Sequence, residues 1–504
     1  MGFNSFKFIL LFLPILLAGW HMLNRIHKYT VADGFLTLMS LYFYYTFGTS
    51  FLVVLIFSIC VNYLLSFIMT KAEAKYLKAL KVIGVLFNLA LLFYFKYLGF
   101  FVDNINAVSG AGLSVKEILM PIGISFYTFG QISFIIDRAN GEAPHYPILQ
   151  YVMYTVYFPK LIQGPIAFHK EMIDQFRDKE RRTFDPDNFA KGMMSFIIGL
   201  SKKVLLADTL ARVANYGFEQ TFYLDTLTVI AVMLAYTFQI YLDFSGYCDM
   251  ANGVSLMLGF ELPVNFNSPY KASTAKELWQ RWHMTLSRFF IKYVYIPLGG
   301  SRKGKRRTVI NVLIVFVLSG LWHGAGWTYI CWGLMQGLLV VWDDLGIVGV
   351  DDETGKKKKY LFRETPLITV PRAVGNAFTF LMFVISLVFF RSANLGYAFG
   401  MFKRAFFWTY PGFLTRTAGQ LEMSENYVLR QIFTRLGIGS ASTVLMITMI
   451  VYILIGAFVM TRKNTQEIIK DAKFDKKSVA FFAILFILSF ISISNVSTFI
   501  YFKF

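Results

Sequence analysis

Two histidines stand out among the side chains here that can move a proton. His323 lies in "LSGLWHGAGW", within a stretch from Thr308 to Trp342 that holds no Asp, Glu, Lys or Arg. His283 lies in "RWHMTLSRFF", between an apolar stripe and Trp279. An ionisable group inside an apolar run is costly, and such groups usually face a polar cavity or a reaction path. Burial favours the neutral imidazole, which keeps a lone pair able to take a proton. A second reading stays open for each: a buried histidine satisfied by a backbone carbonyl, or a plain core residue.

Carboxylates near apolar runs are the other candidates. Asp243 and Asp249 occur in "FQIYLDFSGYCDMANG". Paired carboxylates suit acid–base work or a cation. The plainer expectation is that they hydrogen-bond neighbouring backbone and basic groups at a buried turn. No His, Asp, Glu or Cys spacing suggests a metal site. Asn265 and Asn267 in "LPVNFNSPY" read as turn residues before Pro269. Cys60, Cys248 and Cys331 are far apart and read as packing residues.

The elements that must carry these groups are apolar. Hydrophobic residues make up 56% of the 504-residue chain and charged residues 16%, against about 25% charged in a soluble globular chain. Charge-poor runs fall near 6–23, 32–48, 50–70, 82–102, 118–136, 188–206, 224–246, 308–342, 373–391, 441–461 and 478–497. Many have the length that spans a bilayer core. The expected fold class is therefore an all-α polytopic membrane protein, one integral-membrane domain over 1–504. A transmembrane barrel would alternate apolar and polar residues instead. Shorter apolar pieces near 147–166 and 248–260 are expected to be re-entrant or half-helices, tolerated only inside protein or beside a cavity. "MPIGISFYTFGQISFIIDR" and "YFPKLIQGPI" place Gly and Pro inside apolar helix, and are expected to line that cavity.

The net charge of +19 sits in short loops. That pattern points to headgroup contact with membrane lipids and not to nucleic acid. Lysines at 71, 75, 78 and 81, the "SRKGKRR" of 301–307, the "KKKK" of 356–359 and six basic residues in 462–477 all fall on one side by the positive-inside tendency. Counting passes from these loops places both termini outside a plasma membrane, with the first apolar run an uncleaved helix. The segment 308–342 has basic flanks on the same side, so it must enter and return. Thirty-five residues are too few for two spans of about 20 each. A hairpin of short helices is expected, turning at Gly320, Gly324 and Gly326, with His323 at the turn. Residues 273–300 read as one amphipathic helix along the cytosolic interface, capped by Thr274 and Glu277. Leu278, Trp282, Leu286, Phe289 and Tyr293 form its apolar stripe. Arg281, Arg288 and Lys292 form a basic face, either solvated or attracting an anionic donor.

The stretches "PIGISFYTFGQISFIID", "FPKLIQGPI", "YTFQIYLDFSGYCDMANG", "LGFELPVNFNSPYKA", "RWHMTLSRFFIKYVYIPLGG" and "LSGLWHGAGWTYICWG", with the opening "MGFNSFKFILLFLPILL", cover residues 1–345. In that order they resemble the membrane-bound O-acyltransferase family, in the branch of alginate and peptidoglycan O-acetylation. The resemblance weakens over the C-terminal helices of 373–497. It implies a ring of tilted helices around a central funnel and acyl transfer from a thioester to a hydroxyl. It places the family's signature histidine at His323 and its second signature position at His283. Arg281, Trp282, Trp322, Asp243 and Asn267, in or beside these motifs, are the expected donor- and substrate-binding side chains. Two departures stand out. Lys292 occupies a position that is acidic in many relatives, and "YIPLGG" is missing from the D-alanine-handling relative.

The resemblance further implies a donor substrate such as acetyl-CoA or another acyl thioester, and no bound cofactor. His323 would act as general base and His283 would hold the donor or stabilise the oxyanion. The final transfer to a polysaccharide or cell-wall glycan would fall to an extracytoplasmic SGNH-type partner. The exposed tail 498–504 ends in "IYFKF". Tyr501 there reads as an interface anchor or as an acyl relay, since a phenol with pKa near 10 leaves an ester readily. Competing readings are acylation of a lipid or lipoprotein, and a transporter of a glycan or acyl carrier.

Overall fold

A computed structural model describes residues 1–116, 118–351, 360–408, 412–422, 424–437 and 439–495. The "KKKK" run and the tail with Tyr501 lie outside these residues. The described chain is an all-α membrane protein. Its only strands among the described residues are Val348–Val350 and Ile368–Val370, a short parallel pair. Among the described residues six helices are long and apolar enough to cross a membrane: Phe8–Arg25, Thr49–Lys71, Ala74–Ser109, Thr226–Met257, Arg372–Arg391 and Ala441–Thr461.

The expected half-helix over 248–260 is corrected. Thr226–Met257 is one unbroken helix of 32 residues. Its polar stretch stays helical because the carboxylates meet lysines of a neighbouring segment, Asp243 with Lys203 at 2.5 Å and Asp249 with Lys202 at 2.7 Å. Its glycines serve close packing. A Cβ at Gly253 would lie 2.5 Å from the carbonyl oxygen of Gly192, and one at Gly199 would lie 2.5 Å from that of Gly246. Helix Pro186–Ser201 therefore crosses Thr226–Met257 nearly backbone to backbone, the small-residue packing used inside membranes.

Two apolar cores flank this pair. One gathers the N-terminal helices around Phe8, Phe43, Phe158 and Tyr247. The other gathers Phe126, Phe244, Trp282, Trp322 and Phe390. Helices Ile124–Ala139 and Thr226–Met257 contribute to both, so they form the wall between. The 147–166 segment is short and broken as expected, with helices Ile148–Val156 and Phe158–Leu161.

At one end the basic loop that begins at Arg462 packs against the segment 267–277. Lys271 Nζ donates to the Arg462 carbonyl at 2.8 Å, Asn464 to the Asn267 side chain at 2.9 Å, Lys276 to Asp344 at 2.8 Å and Arg372 to Glu277 at 3.1 Å. At the far end the Thr226 N–H donates to the Phe407 carbonyl at 3.1 Å.

The hairpin forms, but its helices are longer than expected. Lys305–His323 and Trp327–Leu345 have 19 residues each, so each arm is about 28 Å long at 1.5 Å per residue. The charge-free window undercounted them because the first arm begins inside the basic loop and the second ends in Asp343 and Asp344. The turn is at Gly324–Gly326. Gly320 instead lies within the first arm, where a Cβ would sit 2.2 Å from the Tyr329 carbonyl oxygen.

The amphipathic helix is also corrected. Residues Ala275–Arg281 and Met284–Phe290 are separate helices, broken at His283. Thr274 caps the first through the Glu277 N–H at 3.2 Å, while the Glu277 carboxylate reaches back to the Ser273 N–H at 2.8 Å.

Candidate active site

His323 is the last residue of the first hairpin arm and is 2% exposed. Its ring lies in a box of aromatic rings: Trp322 at 4.8 Å, Trp332 at 5.2 Å and Phe390 at 5.2 Å between centroids. The His283 ring is 6.3 Å away. Two histidines 40 positions apart in sequence thus share one buried space.

His283 is fully buried and has φ 44° and ψ 50°. A non-glycine residue in this left-handed region costs ~1–2 kcal/mol and persists only when the surroundings hold it. Here Asn265 holds it. The Asn265 carbonyl oxygen accepts from the Met284 N–H at 3.0 Å. Its side-chain oxygen faces the Thr285 N–H at 3.3 Å, the Thr285 hydroxyl at 2.9 Å and His283 Nδ1 at 3.1 Å. A backbone N–H can only donate, so the facing atom is Oδ1 and His283 Nδ1 carries the proton. Nε2 then presents its lone pair, and it has no hydrogen-bond partner among the described residues. Neutral His283 therefore presents a hydrogen-bond acceptor at Nε2. Phe244 at 4.9 Å, Trp322 at 5.8 Å and Phe126 at 6.4 Å close the ring in.

The other expected residues scatter. Trp322 is at the site, between both histidines. Trp282 lies one layer below, against Phe266, Phe383 and Tyr241. Asp243 is turned to Lys203, which also pairs with Asp208 at 2.8 Å, and the adjacent Phe244 is the residue that meets His283. Arg281 pairs with Glu277 at 2.9 Å, and Asn267 accepts from Asn464, both at the basic end. Arg288 and Lys292 stay partly exposed, each side chain at 37%, but meet acids there. Arg288 pairs with Glu171, its second contact at 2.8 Å, and Lys292 with Asp137 at 3.0 Å and Glu142 at 2.8 Å. Breaking the helix at His283 rotates the second half, and these cations meet carboxylates from residues 137–171. Tyr501 lies outside the described residues. Among the described residues no cluster of His, Cys, Asp or Glu could hold a metal ion.

The sequence reading missed three positions. Asn265 reads in sequence only as a turn residue. Trp332 flanks His323 and lies in the quoted stretch "LSGLWHGAGWTYICWG", but is not singled out there. Lys96 is a lone lysine in an apolar run, a signal that was legible. Its Nζ donates to the Trp322 carbonyl at 2.5 Å and the His323 carbonyl at 3.2 Å.

Two spaces lie on either side of the pair, and each is lined by a residue that touches a histidine, Asn265 beside His283 and Lys96 beside the His323 carbonyl. At the basic end a polar cleft is lined by Lys202, Asn252, Asn265, Asn464 and Gln466. At the far end a cavity of about 340 Å³ is lined by Tyr94, Lys96, Asp103 and Lys116.

The helices thus carry a buried histidine pair with a space on either side. The chain belongs to the membrane-bound O-acyltransferase family, whose model matches residues 37–350. It is 36% identical over 430 residues to a peptidoglycan O-acetyltransferase of Helicobacter pylori, covering 80% of this chain and 79% of that one. It is 36% identical over 420 residues to a probable alginate O-acetylase of Pseudomonas aeruginosa, covering 81% and 75%. A teichoic acid D-alanyltransferase of Streptococcus thermophilus is more distant, 28% identical over 291 residues, covering 55% and 69%. The protein is accordingly an acyltransferase, and the transporter reading falls away.

Proposed function

We propose that this protein is an O-acetyltransferase of the plasma membrane that supplies acetyl for modifying an exported polysaccharide or cell-wall glycan. The observation that carries this is the His283–His323 pair, 6.3 Å apart, buried between a cleft at one end and a cavity at the other. The names of the two 36%-identical relatives, on peptidoglycan and on alginate, support the acetyl group and the acceptor class. The basic end faces the cytosol on the positive-inside tendency, which leaves both termini outside.

The donor, acetyl-CoA or another acyl thioester, enters by the cleft at the basic end. His323 takes the proton of an acceptor hydroxyl as its oxygen attacks the thioester carbonyl. A C–O bond forms, the C–S bond breaks, and the proton leaves with the thiol. His283 accepts a hydrogen bond through Nε2 and so orients the hydroxyl or the leaving thiol. The indole N–H groups of Trp322 and Trp332, which have no partner among the described residues, are the donors on hand for the oxyanion. Tyr501 is the acceptor hydroxyl of the first step, and an SGNH-type partner outside the membrane completes the transfer.

The test is intact- and peptide-mass analysis of the purified protein after incubation with isotope-labelled acetyl-CoA. Wild type is compared with His323→Ala and Tyr501→Phe. The expected result is a hydroxylamine-labile label on the C-terminal peptide, lost in both variants. Thioester turnover that needs His323 without label on Tyr501 would reduce the tail to an interface anchor. Turnover unaffected by His323→Ala would remove the base.

A further inference from the structure

Helix Ala74–Ser109 carries Lys96 in the apolar stretch "LLFYFKYLGFF". The residue lies on a π-helical turn, Phe93–Tyr97. Such turns insert one extra residue and re-aim side chains. This one sends two successive residues to the end of the helix that carries His323. The last carbonyls of a helix lack donors of their own. Gly320 O accepts from the Gly324 N–H at 3.3 Å. Leu321 O accepts from the Tyr97 hydroxyl at 2.9 Å. Trp322 O and His323 O both accept from Lys96. The third proton of the ammonium points to Ser125 Oγ at 3.4 Å. Ser125 precedes Phe126, whose ring meets both His283 and Trp322. Four residues past His323 the clamp continues, since Asn104 accepts from the Trp327 indole at 2.9 Å.

A neutral hydroxyl, that of Tyr97, is enough to cap Leu321. An ammonium within a membrane helix is a far costlier cap. What it adds is one atom that ties the His323 peptide to the helix bearing Phe126, at the negative end of a helix dipole. The same side chain lines the 340 Å³ cavity at the far end. Its head therefore stands between that cavity and the backbone of the histidine.

We propose that Lys96 is the positioning residue of His323. Its ammonium fixes the peptide from which the imidazole projects, and so fixes the angle at which the ring meets a hydroxyl. The proposal rests on His323 being the base.

Purified full-length protein is assayed for acetyl-CoA turnover and for thermal midpoint, as Lys96→Met, Lys96→Gln, Lys96→Arg and His323→Ala. Lys96→Met is expected to fold, to keep the donor KM within about twofold, and to lose roughly 10- to 100-fold in kcat, the scale of a small misplacement of reacting groups. Lys96→Arg, which keeps the charge and the donors, recovers part of that loss. Lys96→Gln is held to the same criterion as Lys96→Met and decides the matter if the latter does not fold. Inactive His323→Ala beside neutral variants with full kcat per folded molecule, whatever their thermal midpoint, overturns the proposal and leaves the base in place. His323→Ala with wild-type turnover overturns both.

Discussion

Truncating Asn265 probes the link between a turn and the chemistry. One side-chain oxygen receives His283 Nδ1, the Thr285 N–H and the Thr285 hydroxyl. In Asn265→Ala the hydroxyl can rotate to another acceptor. The Thr285 N–H and the His283 Nδ1–H cannot. Each orphaned buried donor costs ~1–3 kcal/mol, so the folded state loses ~2–6 kcal/mol before relaxation. The kinetic loss is smaller and separable. Without its acceptor the imidazole is free to carry its proton on either nitrogen, and the Nε2 lone pair is no longer guaranteed. Losing a preference worth ~1–1.5 kcal/mol gives about a tenfold drop in kcat. Asn265→Asp keeps the acceptor oxygens and is expected to fold better and turn over faster than Asn265→Ala. The assay is acetyl-CoA turnover per folded molecule, with thermal midpoints in parallel. If Asn265→Ala keeps kcat within about twofold of wild type, the tautomer argument is wrong.

Three further outcomes follow from the packing and the charges. Lys203→Met leaves Asp243 and Asp208 buried without their lysine and should cost ~3–5 kcal/mol in unfolding measurements, more than replacing an exposed lysine such as Lys463. Gly199→Ala puts a methyl group against the Gly246 carbonyl, where backbone cannot yield, and should destabilise by ~1–3 kcal/mol, while Gly99→Ala, with open space, should not. Burial pushes the Glu277 carboxyl up, but the Ser273 N–H and hydroxyl and the Arg281 and Arg372 guanidiniums outweigh it and hold its pKa below the ordinary value. Its stabilising contribution is therefore complete above the usual Glu value of about 4.3 and is lost as the pH falls through the lower folded value. Thermal midpoints against pH should show a shallower acid limb in Glu277→Gln; an unchanged limb would refute the assignment.

Much of the architecture followed from local pattern. Apolar length marks the six described helices that are long enough to cross a membrane, and basic flanks on one side forced the 308–342 segment to return. The errors came where a neighbour supplied what the local pattern lacked. Asp243, Asp249 and two glycines looked like the end of a helix. Lys202, Lys203 and the glycines of 186–201 keep that stretch inside one unbroken helix that runs on to Met257. The stripe from Leu278 to Tyr293 looked like a single helix because periodicity does not register one residue at positive φ. Asn265, 18 positions upstream of His283, makes that break affordable in energy.

The sequence by itself determined the class of fold, the hairpin and the two histidines, because burial in lipid constrains residue type over every span and a lone imidazole there is conspicuous. Only the tertiary structure decided that the histidines face each other, that His283 offers a lone pair, and that Arg288 and Lys292 are spent on carboxylates. Those outcomes depend on which side chains meet across helices far apart in the chain, and a hydrogen bond or an ion pair is set by the distance and direction between two groups, not by either residue's type.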